Sequence, residues 1–164
     1  MSPVDWGLRQ VRLVVLGILV LSAGTAWGND VRTLAVSNAS VADVRDAVIE
    51  AIESAGLVVS ATIPFNRMLE RTGKALEYRT HPYAEAETVQ FCSARLAWQL
   101  VTEHSSQLAL CPLSISIYST TEEPKLVHIA YRSPGDETVG RQLGEKLLRE
   151  LVEHAAVLAG WRWR

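Results

Sequence analysis

The sequence predicts an α+β fold, a two-layer sandwich in which a mixed or antiparallel sheet of about five strands carries helices on one face. Short alternating segments rich in valine and isoleucine recur along the chain, and amphipathic helical stretches separate the early ones. The last two segments are close enough to form a hairpin, which favours antiparallel pairing over an all-parallel sheet.

In "DVRTLAVSN", residues 30–38, Val31, Thr33 and Ala35 fall on one side and Arg32, Leu34 and Val36 on the other, the period of a strand. Ser40, with Asp43 three residues on, comes close to a capping box. Val41, Val44, Ala47, Val48, Ile52 and Ala55 then recur at helical spacing until Gly56 supplies a left-handed stop. "LVVSATI", residues 57–63, is a second strand ended by Pro64, and "FNRMLERTG", residues 65–73, has room for a short helix. "KALEYRTHPYA", residues 74–84, reads as loop.

"ETVQFC", residues 87–92, alternates Val89 and Phe91 with Thr88, Gln90 and Cys92, a third strand with Cys92 at its end and off the main core. Ser93 caps the next helix, whose apolar stripe is Leu96, Leu100 and Val101 and which ends at "EHSSQ". "LCPLSISIYS" resumes extended structure: Pro112 suits a strand's start, and Leu113, Ile115 and Ile117 alternate with Ser114, Ser116 and Tyr118. "TTEEPK" turns the chain and "LVHIAY" returns, with Val127, Ile129 and Tyr131 inward and His128 outward. A last helix over residues 137–158 carries Val139, Leu143, Leu147, Leu151, Ala155 and Leu158 at helical spacing.

The N-terminal segment sets the compartment. Arg9 and Arg12 precede an apolar run over residues 13–21, and Ala26 and Gly28 form a small-residue cleavage site. These are the parts of a secretory signal peptide, and the run is shorter than the ~20 apolar residues that span a bilayer. The expected organisation is a signal peptide over residues 1–28, one α+β domain over 29–160 and a Trp/Arg tail over 161–164, with the mature protein periplasmic or secreted. Trp161 and Trp163 alternate with Arg162 and Arg164, an amphipathic end suited to a membrane surface or a partner subunit.

The charge balance of Lys+Arg 16 against Asp+Glu 18, with no cationic cluster, argues against nucleic acid as a partner. An apolar content of 48% is too high for a disordered chain. The chain contains no G-x-S-x-G, H-E-x-x-H, phosphate-binding glycine loop or G-x-G-x-x-G, so nothing points to a hydrolase or nucleotide enzyme.

Chemistry therefore centres on the only two cysteines, Cys92 and Cys111. They flank one helix, so both can lie at one end of the sheet, and three readings stay open. An oxidising compartment favours a disulfide, which closing a loop of this length stabilises by roughly 3 kcal/mol. A thiolate also suits copper or haem iron, with Met68 as a thioether and His81 or His104 as imidazole ligands. The C-x18-C spacing matches no compact zinc pattern. Cys92, just before a helix N-terminus, is the better candidate ligand or reactive thiol. The third reading is a pair of inert, half-buried thiols. Among the other histidines, His154 beside Glu153 belongs to a solvated helix face, and His81 stands in a loop, where sites concentrate.

"MLERTG", "FCSA", "LCP", "ISIY" and "IAYR" occur in the order and spacing of the domain-of-unknown-function 302 family, and the chain resembles its bacterial members from about Val41 to Pro134. The resemblance implies a small α+β domain, exported in this branch, and a homodimer. "TEHSSQ" departs from the family, which tends to carry an Asp-Pro turn there. The resulting expectation is an exported, non-enzymatic binding protein that holds a metal, haem or small ligand near Cys92. A thiol-dependent redox enzyme with a periplasmic redox partner, or a disulfide-stapled structural or interaction domain, are the competing readings.

Overall fold

The structure, a computed structural model, describes residues 30–161. The expected signal peptide and residues 162–164 of the tail lie outside the described residues, as does the side chain of Trp161. Five strands, β1 (Val31–Ser37), β2 (Val58–Ile63), β3 (Tyr83–Cys92), β4 (Leu113–Thr120) and β5 (Leu126–Arg132), form one sheet in the order β1-β5-β4-β3-β2. Every neighbouring pair is antiparallel. The helices are α1 (Val41–Ser54), α2 (Phe65–Gly73), α3 (Ala94–Glu103) and α4 (Val139–Trp161), with a 3-10 helix at Ser105–Leu110. This is the α+β sandwich that the patterning predicts.

Period-two alternation decides which face holds the core. Along β4 the buried Leu113, Ile115 and Ile117 alternate with the half-buried Ser114, Ser116 and Tyr118. Val89 and Phe91 of β3 and Val127, Ile129 and Tyr131 of β5 join the same face, and α1 and α4 cover it. On the other face Tyr118 and His128 belong to a row of rings. Phe65 of α2 meets Tyr83 at 6.2 Å, Tyr83 meets Tyr118 at 5.4 Å, and Tyr118 stacks on His128 at 5.0 Å.

The start of α1 is the expected capping box: Asp43 N donates to Ser40 Oγ at 3.2 Å, and Ser40 N donates to Asp43 Oδ2 at 3.2 Å. Gly56, at φ 73°, follows the helix as the left-handed residue. Ala55, counted in the apolar stripe, is exposed because the helix has already reached its cap there. β3 begins at Tyr83, four residues earlier than "ETVQFC" suggests, because Tyr83, Glu85 and Ala86 find partners in Thr120, Ser119 and Tyr118 of β4. Pairing across the sheet outweighs a weak local pattern.

Of the expected stripe on α4, Leu151 and Ala155 are buried and Leu147 and Leu158 pack against the core, but Val139 and Leu143 at its start are 59% and 48% exposed, and Gly140 and Gly144 are buried there instead. Gly140 lets α3 approach, since a Cβ there would stand 3.3 Å from Leu100 Cα, and Gly144 lets the loop before α4 approach, since a Cβ there would stand 3.2 Å from Pro134 Cγ. A stripe drawn from apolar side chains overlooks both glycines, so its first two positions are displaced by one residue.

Glu103 ties the two helices together. Gly140 N donates to its carboxylate at 2.8 and 3.1 Å, and Gln99 Nε2 donates at 2.8 Å. Hydrogen bonds from Thr138 and then Gln99 hold the Glu103 carboxyl below its ordinary value of 4.5. A carboxyl depressed on folding stabilises the fold above its unfolded value, and that contribution is lost as the pH falls through the lower folded one. In denaturant titrations, Glu103→Gln is therefore expected to be less stable than wild type at about pH 6, the difference shrinking steadily towards about pH 3.

Candidate functional site

The ten residues of β3 separate two groups of candidate residues. At about 3.3 Å per residue, its ends lie roughly 30 Å apart. Cys92 occupies one end, and His81, two residues before Tyr83, occupies the other. No single bound atom can therefore touch both.

At the cysteine end, Ser93 Oγ accepts from Leu96 N at 3.3 Å and starts α3 directly after Cys92. Cys92 is exposed and shares a strand face with Gln90 and Thr88. Cys111 is half-buried against the core and donates its backbone N–H to Leu108 O at 3.1 Å. The last β3–β4 pair, Phe91 with Leu113, brings both cysteines to the same end of the sheet. Both are free thiols. Burial pushes the Cys111 thiol up, and a charge on Cys92 pushes it further, so the two groups are close enough to interact electrostatically. A shallow groove of about 330 Å³, lined by Ala94, Ala97, Trp98, Val101 and Leu108, flanks the start of α3. Among the described residues, no group of three or more His, Cys, Asp or Glu side chains could hold a metal ion.

The two thiols should react unequally. In reduced, folded protein at neutral pH, an aromatic disulfide reagent is expected to modify Cys92 at least about tenfold faster than Cys111, because the reactive species is an accessible thiolate. Rates measured on Cys92→Ser and Cys111→Ser separate the two.

At the other end of β3, the chain folds back on α2. Leu76 N donates to Thr72 O at 3.0 Å and Tyr78 N to Gly73 O at 2.9 Å, and Glu77 adopts φ 61°. Further on, Thr121 Oγ1 donates to His81 O at 3.1 Å, and Thr121 N donates to Pro82 O at 3.3 Å, which pins this segment to the end of β4. Between α2 and residues 74–82 lies a cavity of about 670 Å³, with Leu69, Leu76 and Tyr78 among its walls. Leu76 and Tyr78 are 63% and 74% exposed.

His81 is part of that lining. Its Nδ1 lies 2.7 Å from Tyr83 O, and since a carbonyl only accepts, Nδ1 carries the proton. Nε2 is then left with a lone pair in the neutral ring, and it is buried without a protein partner. Buried polar atoms normally have one, so this nitrogen needs a water or a ligand. Met68 is 38% exposed on α2 and is not among the lining residues. His104 lies at the far end of α3 from Cys92, and its Nδ1 accepts from Ser106 N at 3.3 Å and from Ser106 Oγ at 2.8 Å. It caps the 3-10 helix.

Of the residues singled out from sequence, the fold thus places Cys92 and Cys111 at one end of the sheet, His81 at the other end of β3, Met68 on α2, and His104 at the far end of α3 from Cys92. Most of the walls of the cavity lie in the stretch read as loop, and the rest lie on α2. What signals them is the pair of large apolar residues, Leu76 and Tyr78, within an otherwise polar connection.

Residues 32–156 match the family described as Domain of unknown function DUF302. Among solved structures, the chain is similar to one titled "Crystal structure of uncharacterized conserved protein DUF302 from Bacillus stearothermophilus". The likeness has 15% sequence identity and a TM-score of 0.54, and it covers 83% of this chain and 99% of that one. No curated protein matches the chain.

Proposed function

The chain belongs to the DUF302 family, whose description carries no activity, and from its own residues we propose a non-enzymatic binding protein that holds a small organic ligand between α2 and residues 74–82. The observation that carries this reading is the cavity itself. At about 670 Å³ it falls in the range of ligand sites, roughly 300–1,000 Å³, and it keeps large apolar side chains uncovered. His81 and Thr80 add polar side chains to the lining. This reading moves the ligand from the cysteine end of β3 to its opposite end.

The fluorescent apolar probe 1-anilinonaphthalene-8-sulfonate tests it. The full chain is expected to bind one equivalent saturably, and Leu76→Asp to weaken binding at least about tenfold by placing a charge in the apolar wall. Binding unchanged by Leu76→Asp would contradict the proposal.

The position of Cys92 and Cys111 at the same end of the sheet favours a second reading, in which the two sulfurs hold a soft metal ion such as copper(I). Competition against a copper(I) chelator is then expected to show one equivalent bound, lost in both Cys92→Ser and Cys111→Ser. Export of the mature protein to the periplasm remains part of both readings and is read out by osmotic-shock fractionation.

A further inference from the structure

We infer that the ligand of this cavity is an amphiphilic carboxylate, an apolar body carrying one anionic end. The inference rests on the cavity reading above and names its ligand class. Lys74 and Arg79 both line the cavity, and no ion pair or hydrogen bond joins either side chain to another described residue. The one carboxylate in the lining is Glu70, so the fixed charges there sum to +2 − 1 = +1. Across residues 65–82, Arg67, Arg71, Lys74 and Arg79 stand against Glu70 and Glu77, 4 − 2 = +2, in a chain whose net charge is −2. The cavity is thus a locally cationic spot on an acidic protein, the charge pattern that attracts anions.

Charge alone does not describe the site. A small inorganic anion would leave Leu69, Leu76 and Tyr78 uncovered, and a neutral hydrocarbon would leave both cations unused. An amphiphilic anion satisfies both parts at once: its body covers the apolar walls while its carboxylate meets Lys74 and Arg79.

Calorimetric titration with decanoate and with decanol, on the full chain and on the Lys74→Glu/Arg79→Glu protein, separates the contributions. The wild type is expected to bind decanoate at least about tenfold more tightly than decanol, and the double variant to lose that preference while binding decanol as before. Circular dichroism confirms that the variant is folded, as expected for exchanges at exposed positions. Equal affinity for the two probes in wild type, or a preference that survives in the double variant, would overturn the carboxylate assignment. Failure of both probes while the fluorescent sulfonate still binds in a Leu76-dependent way would overturn it too and leave the cavity reading standing. If the sulfonate also fails, both fall.

Discussion

Phe91→Ala is expected to cost about 3–5 kcal/mol, a large part of the ~5–15 kcal/mol that holds a domain of this size together. Phe91 is fully buried on β3, between Val59 of β2 and Leu113 of β4, in the core that α1 and α4 cover. Its removal deletes apolar burial and leaves a cavity that neighbours in regular strands cannot easily fill. The denaturant midpoint should fall with the slope unchanged. Gln90→Ala, one residue earlier and on the opposite face, should shift stability by no more than about 0.5 kcal/mol. The contrast between adjacent residues tests the strand register directly.

Gly140→Val is expected to cost about 1–3 kcal/mol by overpacking. The first added carbon meets Leu100 Cα at 3.3 Å and Glu103 Oε2 at 2.8 Å. It also disturbs the carboxylate that accepts from Gly140 N. Alanine adds the same first carbon but gains up to about 1 kcal/mol of helix propensity, so Gly140→Ala should lie between wild type and valine. Gly160, where an added Cβ meets nothing within 4 Å, is the control: there alanine is expected to be neutral or stabilising. Thermal melts of the three variants decide the order.

Much of this fold was legible because most elements obey one strong local rule. The alternation of Leu113, Ile115 and Ile117 with serines and a tyrosine marks β4, and Ser40 with Asp43 marks the start of α1. The start of β3 escaped because "YAEA" has little strand character by itself and is held by β4. The inward face at the start of α4 escaped because Gly140 and Gly144 carry no hydrophobic signal, although Gly140 closely approaches Leu100 of α3 and Gly144 closely approaches Pro134. At the site, the common location of Cys92 and Cys111 follows from strands that flank one helix. The cavity does not follow from any local pattern, since Leu69 comes from α2 and Leu76 and Tyr78 from a connection whose path is set by backbone hydrogen bonds and by anchoring to the end of β4. His81 was a candidate because of its loop position, but its buried, unpartnered Nε2 is a fact of tertiary structure.

The central claim is that ligand binding belongs to the α2 end of β3 and not to the cysteine end. Backbone amide chemical shifts of the isotope-labelled protein, recorded while decanoate is added, test it most directly. The account predicts saturable changes concentrated in residues 69–82, with Cys92, Trp98 and Cys111 unmoved. Changes centred on Cys92, Trp98 and Cys111, with residues 69–82 unaffected, would contradict it.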